Sequence, residues 1–407
     1  MKSEQQLDRR RLLQGGALLG GAALFGTSPT AALLRRSAEE QDDEAPILVV
    51  IQLAGGNDGL NTIVPHGDDV YHASRKFTHV DSKSLLPLDE YRGFNPLLGG
   101  LHNLYESGQL AIVEGVGYGP PNRSHFSSFD IWHAASLLGK AGGDGWLARL
   151  ASMIGHGDER DTNIAVHVGE RAPYSMYSRT TSTVCFNDPD LYRWDEHENL
   201  ICDAADAEMT GSTGPSLSRV RSTFLQARDS SADIRAAVDR YKPNVEYPES
   251  RLGFALKVCA ALIEARVGAR ILSVELAGFD THAKQVGRHD YLLKTFDSSL
   301  SAFLADLEGT SQAKRTTVFA FSEFGRRVAD NASLGTDHGT AGPSFIAGPA
   351  VRGGLYGAHP AMDALEEGDL VYTTDFRSVY ATLIQDWFGA DSAKLLGDSY
   401  PILPILA

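Results

Sequence analysis

Three apolar runs of this chain end in the same way, in a glycine-marked turn that carries a carboxylate, and two of them add histidine or arginine. That repetition limits the fold more than any composition figure does. Pro46 to Leu53 runs into Gly55-Gly-Asn57-Asp58, and Arg270 to Ala277 runs into Gly278-Phe-Asp280-Thr-His282. Thr317 to Phe321 runs into Ser322-Glu323-Phe324-Gly-Arg326-Arg327, followed by Gly335-Thr-Asp-His338-Gly339. Continuous apolar strands are buried on both faces, the habit of parallel sheets covered by helices. Open sheets of that kind gather their chemistry at the carboxyl edge. The expected fold is therefore α/β, a doubly wound, mostly parallel sheet with helices on both faces. A metal or oxyanion site is expected at its edge.

The remaining sequence supplies the other parts. Leu110 to Val113 and Asn163 to Val168 read as further strands. Asn95 to Gly108, Ser216 to Tyr241, Glu249 to Val267, Asp290 to Leu307 and Thr374 to Trp387 read as helices. Phe345 to Ala347, with Val351, Gly354 and Tyr356, suggests short closing strands. Residues 170–215 lack a clear period, are rich in Ser, Thr, Asp and Glu, and suit an irregular excursion or lid. Residues 46–407 are expected to form a single domain behind a polar tether at 37–45.

The first 36 residues have an export pattern. Arg9-Arg-Arg-Leu-Leu13 precedes a short Gly/Ala-rich apolar run and small residues, which resembles a twin-arginine signal. Such a signal implies passage through the twin-arginine translocase to a periplasmic or extracellular location. The formal charge is −15, and residues 1–36 carry six basic and two acidic side chains, leaving about −19 on the remainder. A surface of that sign disfavours nucleic acid. Three cysteines, Cys185, Cys202 and Cys259, have no metal spacing and allow at most one bridge, with Cys185–Cys202 the candidate.

Besides the stretch from Ser322 to Gly339, three places carry candidate chemistry. The glycines before Asn57 and Asp58 permit a tight turn that brings both to the sheet edge. Arg123-Ser124-His125-Phe-Ser127 follows a strand and a Gly/Pro loop, so Ser124 or Ser127 stands near a helix start, as nucleophile or simple cap. His125 beside them suits a ligand, a base or a surface group. Asp280 and His282, two apart, offer a hard oxygen and an imidazole to one side, which suits Zn, Mn or similar ions.

Taken in order, the leader, Gly55-Gly-Asn-Asp-Gly-Leu-Asn61, Arg123-Ser-His-Phe126, Gly278-Phe-Asp-Thr-His282, Ser322-Glu-Phe-Gly-Arg326 and Thr336-Asp-His-Gly339 resemble one family. It is a bacterial family of exported proteins of unknown function, related to the alkaline phosphatase and sulfatase superfamily. The resemblance implies an alkaline-phosphatase-like sheet with one or two divalent ions, Zn, Mn or Ca, at the strand ends. Carried over by position, it implies Asp58, Asp280, His282, Glu323 and His338 as metal ligands and Ser124 as nucleophile. His125 would serve as acid or base, and Arg326 or Arg123 as an anion clamp. The chain departs from the superfamily pattern in three ways. Asp280 and His282 are two apart where phosphatases have four, Phe324 replaces a common histidine, and no Cys-x-Pro-x-Arg sulfatase signature is present. Two functions fit. One is a metal-dependent hydrolase of phosphate or sulfate esters, acting on a small anionic ester or a sulfated or phosphorylated glycan. The other is a non-catalytic exported binding protein for a glycan, an anion or an envelope partner.

Overall fold

A computed structural model describes residues 44–155, 163–179, 183–193, 227 and 230–406. The export leader, Cys202, most of the tether, and the remainder of the 170–215 excursion and of the Ser216–Tyr241 helix lie outside the described residues. Ala45–Ala407 forms one unit. Among the described residues no helix is long and apolar enough to cross a membrane.

The expected sheet is present. β1 (Ile47–Ala54) lies at its centre, every residue buried, with β8 (Ile271–Ala277) and β9 (Thr316–Phe321) parallel on its two sides. Its side chains divide by parity, as pleating dictates. Ile47, Val49, Ile51 and Leu53 enter one core with the helices Arg251–Glu264 and Gln285–Leu307. Leu48 and Val50 enter another with the helices His125–Ala134, Trp146–Ile154 and Phe376–Thr382. Each core is closed by aromatic rings, Phe296 and Phe303 in the first and Trp132 and Tyr380 in the second. Full burial of such a side chain is worth about 1.5–3 kcal/mol. Helices therefore cover both faces of the sheet.

With β2 (Ile63–Val64), β3 (Leu86–Pro87) and β4 (Gly93–Phe94) in a small separate sheet, the large sheet takes in β5 (Leu110–Gly117), β6 (Ala165–Val168) and β7 (Val184–Phe186). The hairpin β10 (Arg326–Asp330) and β11 (Thr336–His338) follows β9, then come β12 (Gly342–Ala347), β13 (Gly354–Tyr356) and β14 (Thr374–Asp375). The order is β13-β5-β12-β9-β1-β8-β6-β7, with β14 beside β5.

Only β12 runs against the rest, between β5 and β9. Strands are found where Phe345–Ala347 and Gly354–Tyr356 suggest them; β12 lies inside the sheet, and its reversed direction has a topological cause. The hairpin stands at the carboxyl edge of β9, so the chain re-enters the sheet from that edge and must run backwards. Helix boundaries also differ, and the Asn95–Gly108 helix is regular only over Gly99–Glu106. The Asp290 helix begins five residues earlier, at Gln285, whose polar side chain is buried. The final helix is regular only over Phe376–Thr382 and ends in a π-turn at Leu383–Trp387.

Candidate metal centre

The carboxyl edges of β1, β8 and β9 converge with the β10–β11 hairpin and the first turn of the helix after β5. Gly55 permits the approach of β1 to β8. It has φ of +118°, and a Cβ there would lie 2.4 Å from the backbone nitrogen of Asp280. β8 delivers Asp280 and His282, β9 delivers Glu323, β11 ends at His338, and the helix His125–Ala134 begins with His125.

One oxygen is the meeting point. His282 Nε2 and His338 Nε2 each lie 3.0 Å from Asp280 Oδ1, and His125 Nε2 lies 3.5 Å from it. The Nε2 atoms of His282 and His338 are 2.9 Å apart. Donor atoms of His125, Asp280 and His338 all fall within 4.8 Å of one another.

The far nitrogen of each ring is held by an oxygen. His125 Nδ1 donates to Glu323 Oε1 at 2.7 Å, His282 Nδ1 to Asp337 Oδ1 at 3.0 Å, and His338 Nδ1 to the carbonyl of Arg123 at 2.7 Å. A carbonyl oxygen can only accept, so the His338 proton sits on Nδ1, and in the neutral ring Nε2 turns a lone pair toward Asp280. This is the arrangement by which outer oxygens fix the tautomer and orientation of metal-binding imidazoles.

The electrostatics are those of a crowded, half-covered site. Burial opposes the charge on Asp280, yet the hydrogen bond and the charge of Arg326 hold its carboxyl well below the usual range. The Glu323 hydrogen bond raises the pKa of His125 against burial, whereas burial lowers that of His338. Hydrogen bonds from Asn331 and His282 keep Asp337 low as well.

The residues fit a divalent ion. Donors sharing a zinc-sized ion at about 2.0–2.2 Å stand roughly 3.3–3.6 Å apart around a tetrahedron, and the spacings to Asp280 Oδ1 are close to that. His125 Nε2 is buried without a hydrogen-bond partner and aimed toward Asp280. Lone pairs directed at a carboxylate oxygen from about 3 Å need a proton or a cation between them.

The other sequence candidates fall elsewhere. Asp58 is not brought into the cluster: its buried carboxylate is held by a bidentate pair with Arg75 and by Gln285 Nε2 at 2.5 Å. Glu323, fully buried, accepts from the Gly55 N–H at 2.9 Å and from His125, so it orients a ring from behind. Arg326, expected as an anion clamp, is buried with its donors already engaged. Its Nε donates to the Gly56 carbonyl at 2.7 Å, Nη1 to Thr336 at 2.9 Å, and Nη2 to the carbonyls of Gly55 and Phe279 and to Asp280. Arg123 likewise pairs with Asp369 and Glu367.

Ser124 occupies the N-cap position of its helix, exposed, with no side-chain capping bond, while Ser127 is half-buried one turn on. Phe324 packs its ring against both His125 and His338, with centroids 4.9 and 4.8 Å away. Among the described residues Cys185 has no disulfide partner. Three contributors escaped the sequence reading, namely Asp337, Arg75 and Gln285. Only Asp337 had a signal, its place beside His338 in Thr336-Asp-His338.

A fold and site of this kind define an α/β protein with a histidine–carboxylate centre at its sheet edge. Residues 120–396, well over half of the chain, match the family described as "Protein of unknown function (DUF1501)", and the chain belongs to that family. No curated protein matches it. Among solved structures it is similar to a protein in the alkaline phosphatase superfamily from Vibrio parahaemolyticus, with 10% identity and a TM-score of 0.40, covering 87% of this chain and 69% of that one. It is also similar to the PsFucS1 sulfatase from Pseudoalteromonas sp., with 10% identity and a TM-score of 0.39, covering 89% and 70%. A third is the lipoteichoic acid synthase LtaP from Listeria monocytogenes, with 9% identity and a TM-score of 0.36, covering 76% and 67%.

Proposed function

We propose that this protein is an exported, metal-dependent hydrolase of phosphate or sulfate esters, working on a small anionic ester or an anionic glycan. The observation that carries the reading is the set of three imidazoles, each anchored at Nδ1 and turned at Nε2 toward Asp280 Oδ1. In this reading Asp280, His282, His338 and His125 hold one divalent ion, Zn or Mn, with Glu323 and Asp337 orienting two of the rings from behind. When bound, the ion would supply Lewis-acid stabilisation of an ester oxyanion.

This chain's own residues do the remainder. Ser124 keeps its hydroxyl exposed at the start of the helix that begins with His125, so a nucleophile and a ligand share one turn. The N-terminus of that ten-residue helix favours an anion beside Ser124. With Arg123 and Arg326 already paired, that helix end and the metal centre are the positive elements offered to ester charge in this reading. Phe324, packed on His125 and His338, excludes water from one flank. The leader at residues 1–36 supports export by the twin-arginine route.

The test is elemental analysis of the folded, purified full chain. Wild type is expected to carry about one equivalent of a divalent metal, and His338→Ala to lose it while remaining folded. Phosphate and sulfate esters would then be screened against wild type and Ser124→Ala. A folded wild type without metal sinks the hydrolase reading and leaves a non-catalytic binding protein. A metal-loaded wild type as inactive as Ser124→Ala favours the same alternative.

A further inference from the structure

We propose that Asp369 is a positioning residue for this centre, acting on His338 through Arg123. The inference rests on the metal-centre reading above. The path begins at His338, whose Nδ1 donates to the backbone carbonyl of Arg123 at 2.7 Å. The orientation of that ring, and the nitrogen that carries its proton, therefore depend on where one peptide group stands.

That peptide group is held from two sides. On the helix side, Ser128 Oγ donates to the Asn122 carbonyl at 2.6 Å, and the Ser124 N–H donates to Asn122 Oδ1 at 2.9 Å. On the other side the hold comes from Arg123's own guanidinium. Its Nε donates to Asp369 Oδ2 at 2.6 Å, Nη2 pairs with the same oxygen, and both terminal nitrogens reach Glu367 at 3.2 Å. The two acids are not equivalent. The Asp369 side chain is 1% exposed and the Glu367 side chain 80%, so the first pairing is screened far less than the second.

Asp369 is itself firmly placed. It exchanges backbone hydrogen bonds with Glu366 at 2.9 and 3.0 Å. The next residue, Leu370, is buried in a small core with Val328 and Ala341, and its carbonyl accepts from Thr340 Oγ1. Arg327, one residue beyond Arg326, brings its Nε to 3.5 Å from Asp369 Oδ1. That oxygen is buried without a hydrogen bond. A buried carboxylate with one unsatisfied oxygen is costly, and the small apolar core beside it does not require it. What Asp369 does join is the Arg123 loop to the chain flanking the β10–β11 hairpin, the two pieces whose mutual position sets the Arg123 carbonyl against His338.

The experiment is a cobalt(II) titration of the metal-free full chain, followed by the visible absorption bands of the bound ion. Wild type is compared with Asp369→Asn, Arg123→Gln, Arg123→Lys and Glu367→Gln. Asp369→Asn and Arg123→Gln are expected to weaken cobalt binding about 10–100-fold and to shift the bands, as loss of an outer orienting contact does. Arg123→Lys should recover part of the affinity, and Glu367→Gln should match wild type. A purely structural role would lower the melting temperature of the metal-free protein and leave the bands of the folded protein in place, which would overturn the proposal. So would unchanged affinity in Asp369→Asn and Arg123→Gln. Should Asp369→Asn fail to fold, Arg123→Gln decides alone, since the Arg123 side chain is 32% exposed. Wild type that takes up no cobalt fails differently: it overturns the metal centre itself.

Discussion

A carboxylate at a sheet edge has to be answered by cations or by hydrogen-bond donors, and Asp58 and Asp280 are answered in opposite ways. Asp58 is sealed off. Arg75 grips both its oxygens, Gln285 adds a third contact, and Arg75 itself donates to the carbonyls of Arg327 and Val328. Burial raises the Asp58 pKa, but the Arg75 charge and hydrogen bonds outweigh it and the carboxyl titrates below its ordinary value. Asp280 is half open, with its side chain 47% exposed, and it faces imidazoles that can lose their protons to a metal. Asp58→Asn should therefore leave a buried guanidinium without its counter-ion, at a cost of about 3–5 kcal/mol in unfolding free energy. The metal content of the folded fraction should not change. Urea unfolding together with elemental analysis checks both halves. Loss of metal at unchanged stability would return Asp58 to the ligand set.

At the scale of elements, the site depends on strand ends that approach more closely than side chains allow. A methyl group at Gly55 would meet the backbone of Phe279 and Asp280 and force a non-glycine residue to φ of +118°. Gly55→Ala is expected to cost about 2–4 kcal/mol, combining backbone strain with overpacking, and to weaken metal binding as Asp280 is pushed away. A variant as stable as wild type in urea would show that the turn relaxes freely. These elements also mark what could be read without coordinates. β1, β8 and β9 were legible because uninterrupted apolar runs have few other uses, and the glycines after them announced turns. His282 and His338 drew notice as ligand-type side chains one or two residues after an aspartate. The roles of Glu323 and Arg326 were not, because their partners lie 198 to 271 residues away in the chain, at His125, Gly55 and Gly56. Nothing local distinguishes an arginine that binds carbonyls from one that binds an ester. The direction of β12 was hidden for a similar reason, since it follows from where the preceding hairpin leaves the chain.

For the molecule as a whole, the sheet and its covering helices bury three histidines away from the histidine–carboxylate cluster. His133 Nε2 donates to Gln52 Oε1 at 2.7 Å and His289 Nε2 to Asn57 Oδ1 at 3.0 Å, while His167 lies on β6. Burial pushes His133 down to about 3, and His167 and His289 to about 4. In the unfolded chain each would titrate near 6.5. The unfolded state therefore takes up these protons first as the pH falls, and folding is penalised. Above about pH 6.5 their contribution is constant. Between about 6.5 and 4 each histidine removes about 1.4 kcal/mol of stability per pH unit, until the folded protein is protonated too. Three such groups acting together remove several kcal/mol by pH 5, a large share of the ~5–15 kcal/mol that holds a typical domain together. Urea unfolding at pH 7.5 and pH 5.0 should show this as a clear drop in midpoint. His133→Phe, whatever it does to stability at neutral pH, should make the drop smaller by about 2 kcal/mol, because its proton-linked share disappears. A drop as large in the variant as in wild type would mean that His133 already takes up its proton in the folded state.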